Sequence, residues 1–306
     1  MRKSLNVSLR LLALLLILGV TLGVARDRAA AEAPPWSADL DQIRQMAGMI
    51  PGPRPVRVNV IKFAESRRTK NFAVKGLPAE PSVQARTAYQ IVYPDGTVMV
   101  DTGMDLATHQ FFGRGVQEPY FPEQAARVAQ ALQSARAIIV THEHGDHIAG
   151  LMRSASFAEL APKTVLTRVQ LQTLMTRPQI PELRPTPEMA ARLRVVDYDA
   201  TMAFAPGIAL IKAPGHTPGS QMVYVALQSG KELLLAGDVA WHMDGVRLNT
   251  GKDAPWIEEP PDLMAAELAW LHDLSVSQKN LAIVISHDVD QRRHYIEQGI
   301  LGDGFE

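Results

Sequence analysis

The sequence predicts an α/β protein in which β-sheets pack together and are covered by helices. Two observations lead to this prediction: short apolar runs typical of strands recur along most of the chain, and helical patterns lie between them. The chain has 306 residues, of which 46% are apolar and 21% charged, which is the balance of a folded protein with one large domain or at most two. It contains no cysteine, so thiolate metal sites and cysteine nucleophiles are excluded.

The first 31 residues have the pattern of an export leader. Arg2, Lys3 and Arg10 precede an apolar run at 11–25, and small residues at 29–31 form a candidate cleavage site. Cleavage there removes five basic residues and one acidic residue, which changes the formal charge from −1 to −5 and disfavours a nucleic-acid partner. We expect a periplasmic or secreted protein. An uncleaved leader would instead anchor it to the inner membrane, with the domain outside the cytoplasm.

Residues 32–55 follow the leader and are rich in proline and alanine around one helical candidate, Asp39–Ala47. We interpret them as a linker or as an arm lying on the domain. The ordered domain is expected to span residues 56–306.

Ten strands and five helices are predicted in this domain from apolar periodicity. The strands are Val56–Phe63, Ala85–Tyr93, Thr97–Asp101, Ala137–Thr141, Thr164–Thr167, Arg194–Tyr198, Ile208–Ala213, Gln221–Leu227, Glu232–Ala236 and Leu281–Ser286. The helices are Glu123–Ser134, Val169–Thr176, Pro187–Leu193, Asp262–Leu274 and Val289–Gln298. A hairpin turn is predicted at 93–97, where Asp95 and Gly96 favour the turn conformation.

The strongest chemical signal follows the strand at 137–141. The segment Thr141-His-Glu-His-Gly-Asp-His147 holds three histidines and one aspartate within six residues. Residues two apart in an extended chain point to the same face, so His142 and His144 can bind one metal ion. Gly145 permits a change of direction that would turn Asp146 and His147 toward a second point nearby. The pattern is typical of a transition-metal site.

Three further polar residues stand just past apolar strands. His216 follows 208–213 in the loop PGHTPGS, Asp238 follows the run 233–236, and His287 follows 281–286. Each of them alone is more typical of an ordinary loop residue. Together with the histidine-rich segment they predict one metal centre.

This order of motifs resembles the metallo-β-lactamase-fold hydrolases from about Val56 to His287. The resemblance implies an αββα sandwich with a dinuclear site at the edge of the two sheets. It further implies that His142, His144 and His216 hold one metal ion. Asp146, His147 and His287 would hold a second ion, and Asp238 would bridge the two. Asp101, in a strand-end Asp-Thr-Gly, matches a residue that orients the site in this family.

The expected chemistry is hydrolysis by a hydroxide that two divalent ions generate near neutral pH. With nitrogen and oxygen ligands the ions are expected to be Zn²⁺, with iron or manganese as alternatives. Asp146 is the candidate for accepting a proton from the hydroxide.

The substrate class follows from details of the resemblance. Thiolate-ligated β-lactamases need a cysteine, and the all-histidine class lacks the bridging aspartate, so antibiotic cleavage is disfavoured. The ending at His287–Gln291 looks like that of acyl-homoserine lactonases. Those enzymes carry a tyrosine that touches the substrate carbonyl three residues after the bridging aspartate, where this chain has Trp241. We expect Trp241 to be a catalytic residue that donates its indole N–H.

The sequence thus predicts an exported dizinc hydrolase of a small ester or lactone, such as an acyl-homoserine lactone. A glyoxalase II-type thioesterase and a persulfide dioxygenase with one iron ion are the alternatives. Six aromatic residues are candidates to line the mouth of the site: Phe111, Phe112, Tyr120, Phe121, Trp241 and Trp256. His242 is a further candidate polar contact.

Overall fold

The computed structural model describes residues 36–305, and its layered α/β architecture is the one predicted. Two β-sheets pack face to face, and helices cover their outer faces. The predicted leader, residues 1–31, and the first residues of the predicted arm lie outside the described residues.

One sheet has seven strands in the order β12-β1-β2-β3-β4-β5-β6, and the other has five in the order β11-β10-β9-β8-β7. The strand bounds, from β1 to β12, are Arg57–Thr69, Pro81–Tyr93, Gly96–Val100, Ala137–Ile139, Thr164–Thr167, Arg194–Val196, Thr201–Ala205, Ile208–Lys212, Gln221–Ala226, Glu232–Leu235, Leu281–Val284 and Gly302–Asp303. Strands β3 to β6 run parallel, whereas β7 to β10 are antiparallel neighbours.

The α-helices connect the strands and flank the sheets. From α1 to α11 they are Leu40–Gly48, Lys70–Ala73, Leu106–Gly113, Pro122–Ser134, Gly145–Met152, Phe157–Leu160, Arg168–Thr176, Pro187–Ala190, Met243–Arg247, Pro261–Ser277 and Val289–Glu297. Among residues 36–305, none of the helices is long and apolar enough to cross a membrane.

The inner faces of the two sheets form one apolar layer. Val60 and Ile91 of the seven-stranded sheet belong to the same buried cluster as Leu210 and Val223 of the five-stranded sheet. A second cluster lies under α4 and α5, and a third lies between the five-stranded sheet, α1 and α10. Buried residues of β4, β8, β10 and β11, the strands whose carboxyl ends precede predicted site residues, belong to this layer.

The described part of the segment before β1 packs on the five-stranded sheet. Ile43 and Ala47 of α1 are buried in the third cluster, and Trp36 packs against it. Asp39 accepts hydrogen bonds from two backbone N–H groups at the start of α1, as an N-cap residue does. Helix α1 and Trp36 therefore contribute to the core of the domain.

The ten predicted strands all occur, with shifted bounds, and two strands were missed. Strand β7 has no residue that is fully buried, and β12 has only two residues, so neither has a clear apolar pattern. The predicted hairpin is present, but its loop residues are Pro94 and Asp95, because Gly96 pairs with Tyr93 as the first residue of β3. Strands β1 and β2 extend beyond their predicted bounds, to Thr69 and from Pro81.

Candidate metal centre

The histidine-rich segment continues directly from β4. Residues Thr141–His144 extend from the strand end, and helix α5 begins at Gly145, so that Asp146 and His147 lie in its first turn. This helix was missed, because its first turn is polar. A Cβ atom at position 145 would lie 2.9 Å from the Phe112 ring and 3.2 Å from Ile180, so a larger residue there would require these side chains to shift.

Three histidines form the first group of possible metal ligands. The ligand atoms of His142, His144 and His216 all lie within 4.8 Å of one another. His144 Nδ1 and His216 Nε2 are 3.0 Å apart. The loop after β8 carries His216 to this point from a different sheet than the one that supplies the other two.

The second group contains Asp146, His147 and His287. The Oδ2 atom of Asp146 lies 3.4 Å from His147 Nε2 and 3.6 Å from His287 Nε2. His287 follows β11 and donates a hydrogen bond from Nδ1 to the carbonyl of Ala85 at 2.6 Å, which leaves its other nitrogen facing the carboxylates.

Asp238 lies between the two groups. Its carboxylate oxygens are 3.6 Å from His216 Nε2, 3.3 Å from His147 Nε2 and 2.9 Å from His287 Nε2. Gly237, just before it, has a φ of 56°, a conformation that favours glycine and turns the chain sharply after β10. The structure thus brings together all seven predicted ligand residues.

The donor atoms fit divalent cations. His142 Nε2 is buried and has no hydrogen-bond partner, and His147 Nε2 and Asp238 Oδ1 are buried 3.3 Å apart without forming a hydrogen bond. All three residues belong to the donor groups. Buried polar atoms without partners are costly, and a bound cation would satisfy them. Imidazole and carboxylate donors are those expected for zinc or a similar transition metal.

Burial sets the protonation states of the first group. It lowers the pKa of His144 to about 4 and lowers the pKa of His142 and His216 well below the usual value, so that these rings are neutral at pH 7, as metal ligands must be. Burial also opposes ionisation of Asp238, but the neighbouring His287 and His147 rings outweigh it and hold the pKa of Asp238 well below its usual range.

His147 differs from the other histidines because carboxylates surround it. Burial opposes its protonation, yet Asp146, Asp101 and Asp238 together raise the pKa of His147 well above the usual value. A cation that binds here therefore displaces a proton.

Asp101 contacts one of the candidate metal ligands, as the resemblance implied. Its buried carboxylate accepts hydrogen bonds from His147 Nδ1 at 2.7 Å and from the backbone N–H of Thr141 at 2.7 Å. The residue has a φ of 63°, which is costly for any residue with a Cβ atom. One side chain therefore fixes both the end of β4 and the orientation of a histidine ring.

Glu259 and Lys252 were missed by the sequence reasoning. His216 Nδ1 donates to Glu259 Oε1 at 2.6 Å, and the Lys252 ammonium donates to the same carboxylate at 2.6 Å and to the carbonyl of Asp238 at 2.6 Å. Carboxylates that orient metal-binding histidines are common in proteins. The two residues belong to a loop without a motif, so the local sequence carried no signal for them.

Arg86 is a second contact that the sequence did not reveal. Its guanidinium donates to Asp146 Oδ2 and, at 3.2 Å, to Ser66 Oγ. Burial opposes ionisation of Asp146, but the charges of Arg86 and His147 outweigh it and hold the pKa of the carboxyl well below its usual range. Asp146 is therefore ionised.

Trp241 lies beside the centre and is buried. Its indole N–H donates to Asp238 Oδ2 at 2.8 Å. In this geometry the N–H is engaged by a carboxylate of the donor groups. The expected contact between Trp241 and a substrate carbonyl stays a prediction. The Phe72 ring stacks between Trp241 and Trp256, with centroid distances of 5.1 and 5.0 Å.

Two cavities open beside the donor groups. The one that we call the arginine cavity has a volume of about 340 Å³ and is lined by Asp146, Asp238, the three stacked rings, Phe112 and three arginines: Arg68, Arg86 and Arg114. The glutamate cavity, of about 560 Å³, lies next to it and is bordered by Glu143, Glu258 and Glu259. His144 and Trp256 line both.

Three of the six aromatic candidates line these cavities, namely Phe112, Trp241 and Trp256. Phe111 is 55% exposed and lines neither. Tyr120 packs beside His109, and Phe121 lies under the ammonium of Lys62. His242, the further candidate, accepts a hydrogen bond from the backbone N–H of Asp244 at the start of α9.

The fold and the donor groups define a member of the metallo-beta-lactamase superfamily. Residues 82–287 match the sequence model of that superfamily, so the chain belongs to it.

The chain is similar to an N-acyl homoserine lactonase of Bacillus thuringiensis, with 22% identity over 218 residues that cover 67% of this chain and 82% of the relative. Among solved structures, an N-acyl homoserine lactone hydrolase with N-hexanoyl-L-homoserine at its catalytic metal centre has a TM-score of 0.63 and 18% identity, covering 79% of this chain and 96% of that one. A dizinc quorum-quenching lactonase, AidC, has a TM-score of 0.56 and 14% identity, covering 78% and 91%.

Proposed function

We propose that the protein is a dizinc hydrolase that opens lactones of the N-acyl homoserine lactone type. The observation that carries the proposal is the convergence of seven donor residues on two adjacent points, with Asp238 between them and a cavity open beside them. The names of the relatives and of the similar structures support the same reaction class.

In this proposal one ion would be held by His142, His144 and His216 and the second by Asp146, His147 and His287. Asp238, whose carboxylate lies near histidines of both groups, would be available to either ion. The ions would supply polarisation of the lactone carbonyl and activation of water near neutral pH. Zinc is proposed because the donors are imidazole and carboxylate groups and because a similar structure is named as dizinc.

The chain's own side chains would prepare the site for this reaction. Asp146, kept ionised by Arg86, is the group that can accept a proton at the centre. Glu259 fixes the orientation of the His216 ring, and Asp101 fixes that of His147. Phe72 and Trp241 form an apolar wall that excludes water from one side of the arginine cavity.

The test combines metal analysis with a substrate panel. Protein comprising the described residues, loaded with zinc, is expected to hold about two ions per chain and to open acyl-homoserine lactones. His142→Ala and Asp238→Ala should abolish turnover while the circular dichroism spectrum is retained. His294→Ala, which removes an exposed histidine of α11, is the matched control.

The outcomes separate the candidates. Turnover of S-lactoylglutathione in place of lactones would point to a thioesterase. One iron per chain with oxygen consumption and no hydrolysis would point to a dioxygenase. Full lactone turnover in His142→Ala or Asp238→Ala would refute the proposed site.

We also propose that the chain is exported, on the basis of the sequence of residues 1–31 alone. Expression of the full chain in a Gram-negative host, followed by fractionation and N-terminal sequencing, tests this. Cleavage after Ala31 should give a periplasmic product whose first residue is Glu32. A periplasmic domain that keeps residues 1–31 would indicate the anchored form instead. Recovery of the intact chain from the cytoplasm would contradict export.

A further inference from the structure

We infer that the substrate carries a carboxylate on the part of the molecule that does not react, and that Arg114 binds this carboxylate. The inference rests on the proposed function, which it deepens by naming a substrate class and a specificity-determining residue.

The first observation is the charge difference between the two cavities. The arginine cavity is lined by three arginines and by two aspartates, Asp146 and Asp238. Both aspartates belong to the donor groups, where bound divalent ions would offset their charge. The glutamate cavity is bordered by three glutamates and one arginine, Arg177. The arginine cavity therefore offers more positively charged side chains to an anionic group than the glutamate cavity does.

The second observation is that the three arginines differ in their partners. Arg68 donates to the buried carboxylate of Glu118 at 2.5 Å, and Arg86 donates to Asp146. Within residues 36–305, no carboxylate oxygen pairs with Arg114 within 4.0 Å. Arg114 is thus the arginine of this cavity whose charge is available to a ligand.

The third observation is how the chain holds Arg114 at the cavity. Arg114 directly follows the last residue of α3, Gly113, and precedes Gly115. Its backbone lies in the left-handed region, with φ 49° and ψ 44°. A residue with a Cβ atom adopts this conformation at a cost. Its guanidinium carbon lies 5.6 Å from the centre of the Trp256 ring, a cation–π contact with a residue that also lines the cavity.

The chemistry of the ligand follows from these contacts. A guanidinium edge matches the two oxygens of a carboxylate. The same cavity is also lined by the apolar residues Phe72, Phe112 and Val116, which suit a hydrocarbon chain. The class of substrate is therefore a lactone whose acyl chain ends in a carboxylate.

The experiment compares matched pairs of substrates. Homoserine lactones that carry ω-carboxyacyl chains of about four to eight carbons are measured against neutral acyl chains of equal length, with the zinc-loaded protein. For at least one chain length, kcat/KM is expected to favour the carboxylated member about tenfold at low salt, the range of a charge-assisted hydrogen bond. Arg114→Gln should remove the preference and Arg114→Lys should retain part of it.

A binding measurement makes the test independent of turnover. The corresponding lactam analogues, which do not open readily, are titrated against the protein while tryptophan fluorescence is recorded. The carboxylated analogue should bind about tenfold more tightly than its neutral counterpart, less so at high salt. Arg293→Ala, which removes an exposed arginine that lines neither cavity, is the control and should keep the difference.

Failure of the inference and failure of the proposed function give different results. If neutral lactones are opened and the carboxylate gives no advantage, the inference is overturned while the proposed function stands. If Arg114→Gln keeps the full preference, the carboxylate binds elsewhere, for example to the metal ions, and the inference is also overturned. If no lactone is opened but the analogues bind with an Arg114-dependent preference, the proposed function fails and the anion site remains.

Discussion

At the scale of single residues, Glu259 has the clearest expected effect on metal binding. It accepts the hydrogen bond of His216 Nδ1 and pairs with the buried ammonium of Lys252. Glu259→Gln removes the negative charge, which lowers the basicity of the ring and leaves Lys252 without its carboxylate. We expect the zinc affinity to fall about 10- to 100-fold, measured by competition with a chromogenic chelator.

The matched control is the neighbouring exposed residue. Glu258→Gln removes the same charge one position earlier, on a side chain without a contact to His216 among the hydrogen bonds of the described residues. Its zinc affinity should equal that of the wild type. Equal affinities in all three proteins would mean that Glu259 does not orient the ligand.

Trp241 offers a second test at this scale, because its ring and its N–H have separate contacts. Trp241→Phe keeps an aromatic ring against Phe72 but removes the hydrogen bond to Asp238. Since a hydrogen bond to a charged acceptor is worth about 1.5–3 kcal/mol, lactone kcat/KM should fall about tenfold or more. Trp270→Phe, in a ring pair with Trp36 before α1, is the control. Unchanged kcat/KM in Trp241→Phe would show that the N–H does not position the carboxylate.

At the scale of secondary-structure elements, Asp288 ties three segments together. One carboxylate oxygen caps α11 by accepting from the N–H groups of Asp290 and Gln291, and the other accepts from Met243 N–H at the start of α9. Gln291 in turn contacts the backbone of β11 at Ile283 and, just past the strand, at Ile285. The motif that follows His287 therefore fixes the strand end from which this histidine projects.

Asp288→Ala should lower the free energy of unfolding by about 2–3 kcal/mol, because it removes an N-cap and leaves a buried N–H without a partner. Urea unfolding of the metal-free protein measures this directly. Asp290→Ala, at an exposed residue of the same helix, should stay within about 0.5 kcal/mol of the wild type. Similar losses in both variants would contradict the role of Asp288.

Elements also differ in how well the sequence predicts them. Strand β4 and the residues after it follow from an apolar run that ends in a dense polar motif. Strands β1 and β2 extend past their predicted bounds because Ser66-Arg67-Arg68 is polar, so the apolar alternation stops before the strand does. That polar extension carries Ser66 and Arg68 and pairs with the part of β2 that precedes Arg86. The arginine cavity thus depends on strand length that periodicity does not reveal.

At the scale of the whole molecule, a buried acid links folding to pH. Glu267 of α10 accepts from Gly215 N–H at 2.8 Å, and burial raises its pKa to about 8 from an ordinary value of 4.5. Between these two values the folded protein keeps a proton that the unfolded chain releases. The contribution of Glu267 to stability is therefore full below about pH 4.5 and is lost as the pH rises through about 8.

Glu267→Gln removes this titration and keeps an acceptor for Gly215. We expect the stability of the metal-free variant, relative to wild type, to increase from about pH 5 to about pH 8 with a slope of at most about 1.4 kcal/mol per pH unit, and to level off above. Urea unfolding of both proteins across this pH range gives the difference between their free energies of unfolding. The histidines are the same in both proteins, so their contributions cancel in this difference. Glu297→Gln, at an exposed residue of α11, is the control. A difference that does not vary with pH would show that Glu267 is ionised in the folded protein.

The sequence by itself determined the layered fold and the seven donor residues. Apolar runs specify buried strands. The dense motif at 141–147, together with polar residues that follow other strands, such as Asp238 and His287, predicted one metal centre, and the family resemblance divided these residues into ligand sets. Tertiary structure alone decided what surrounds the donors. Glu259, Arg86 and Phe72 reach the centre from a loop, a strand and a short helix without local motifs, because a contact between residues far apart in the chain depends on how the elements pack and not on the spacing of neighbours.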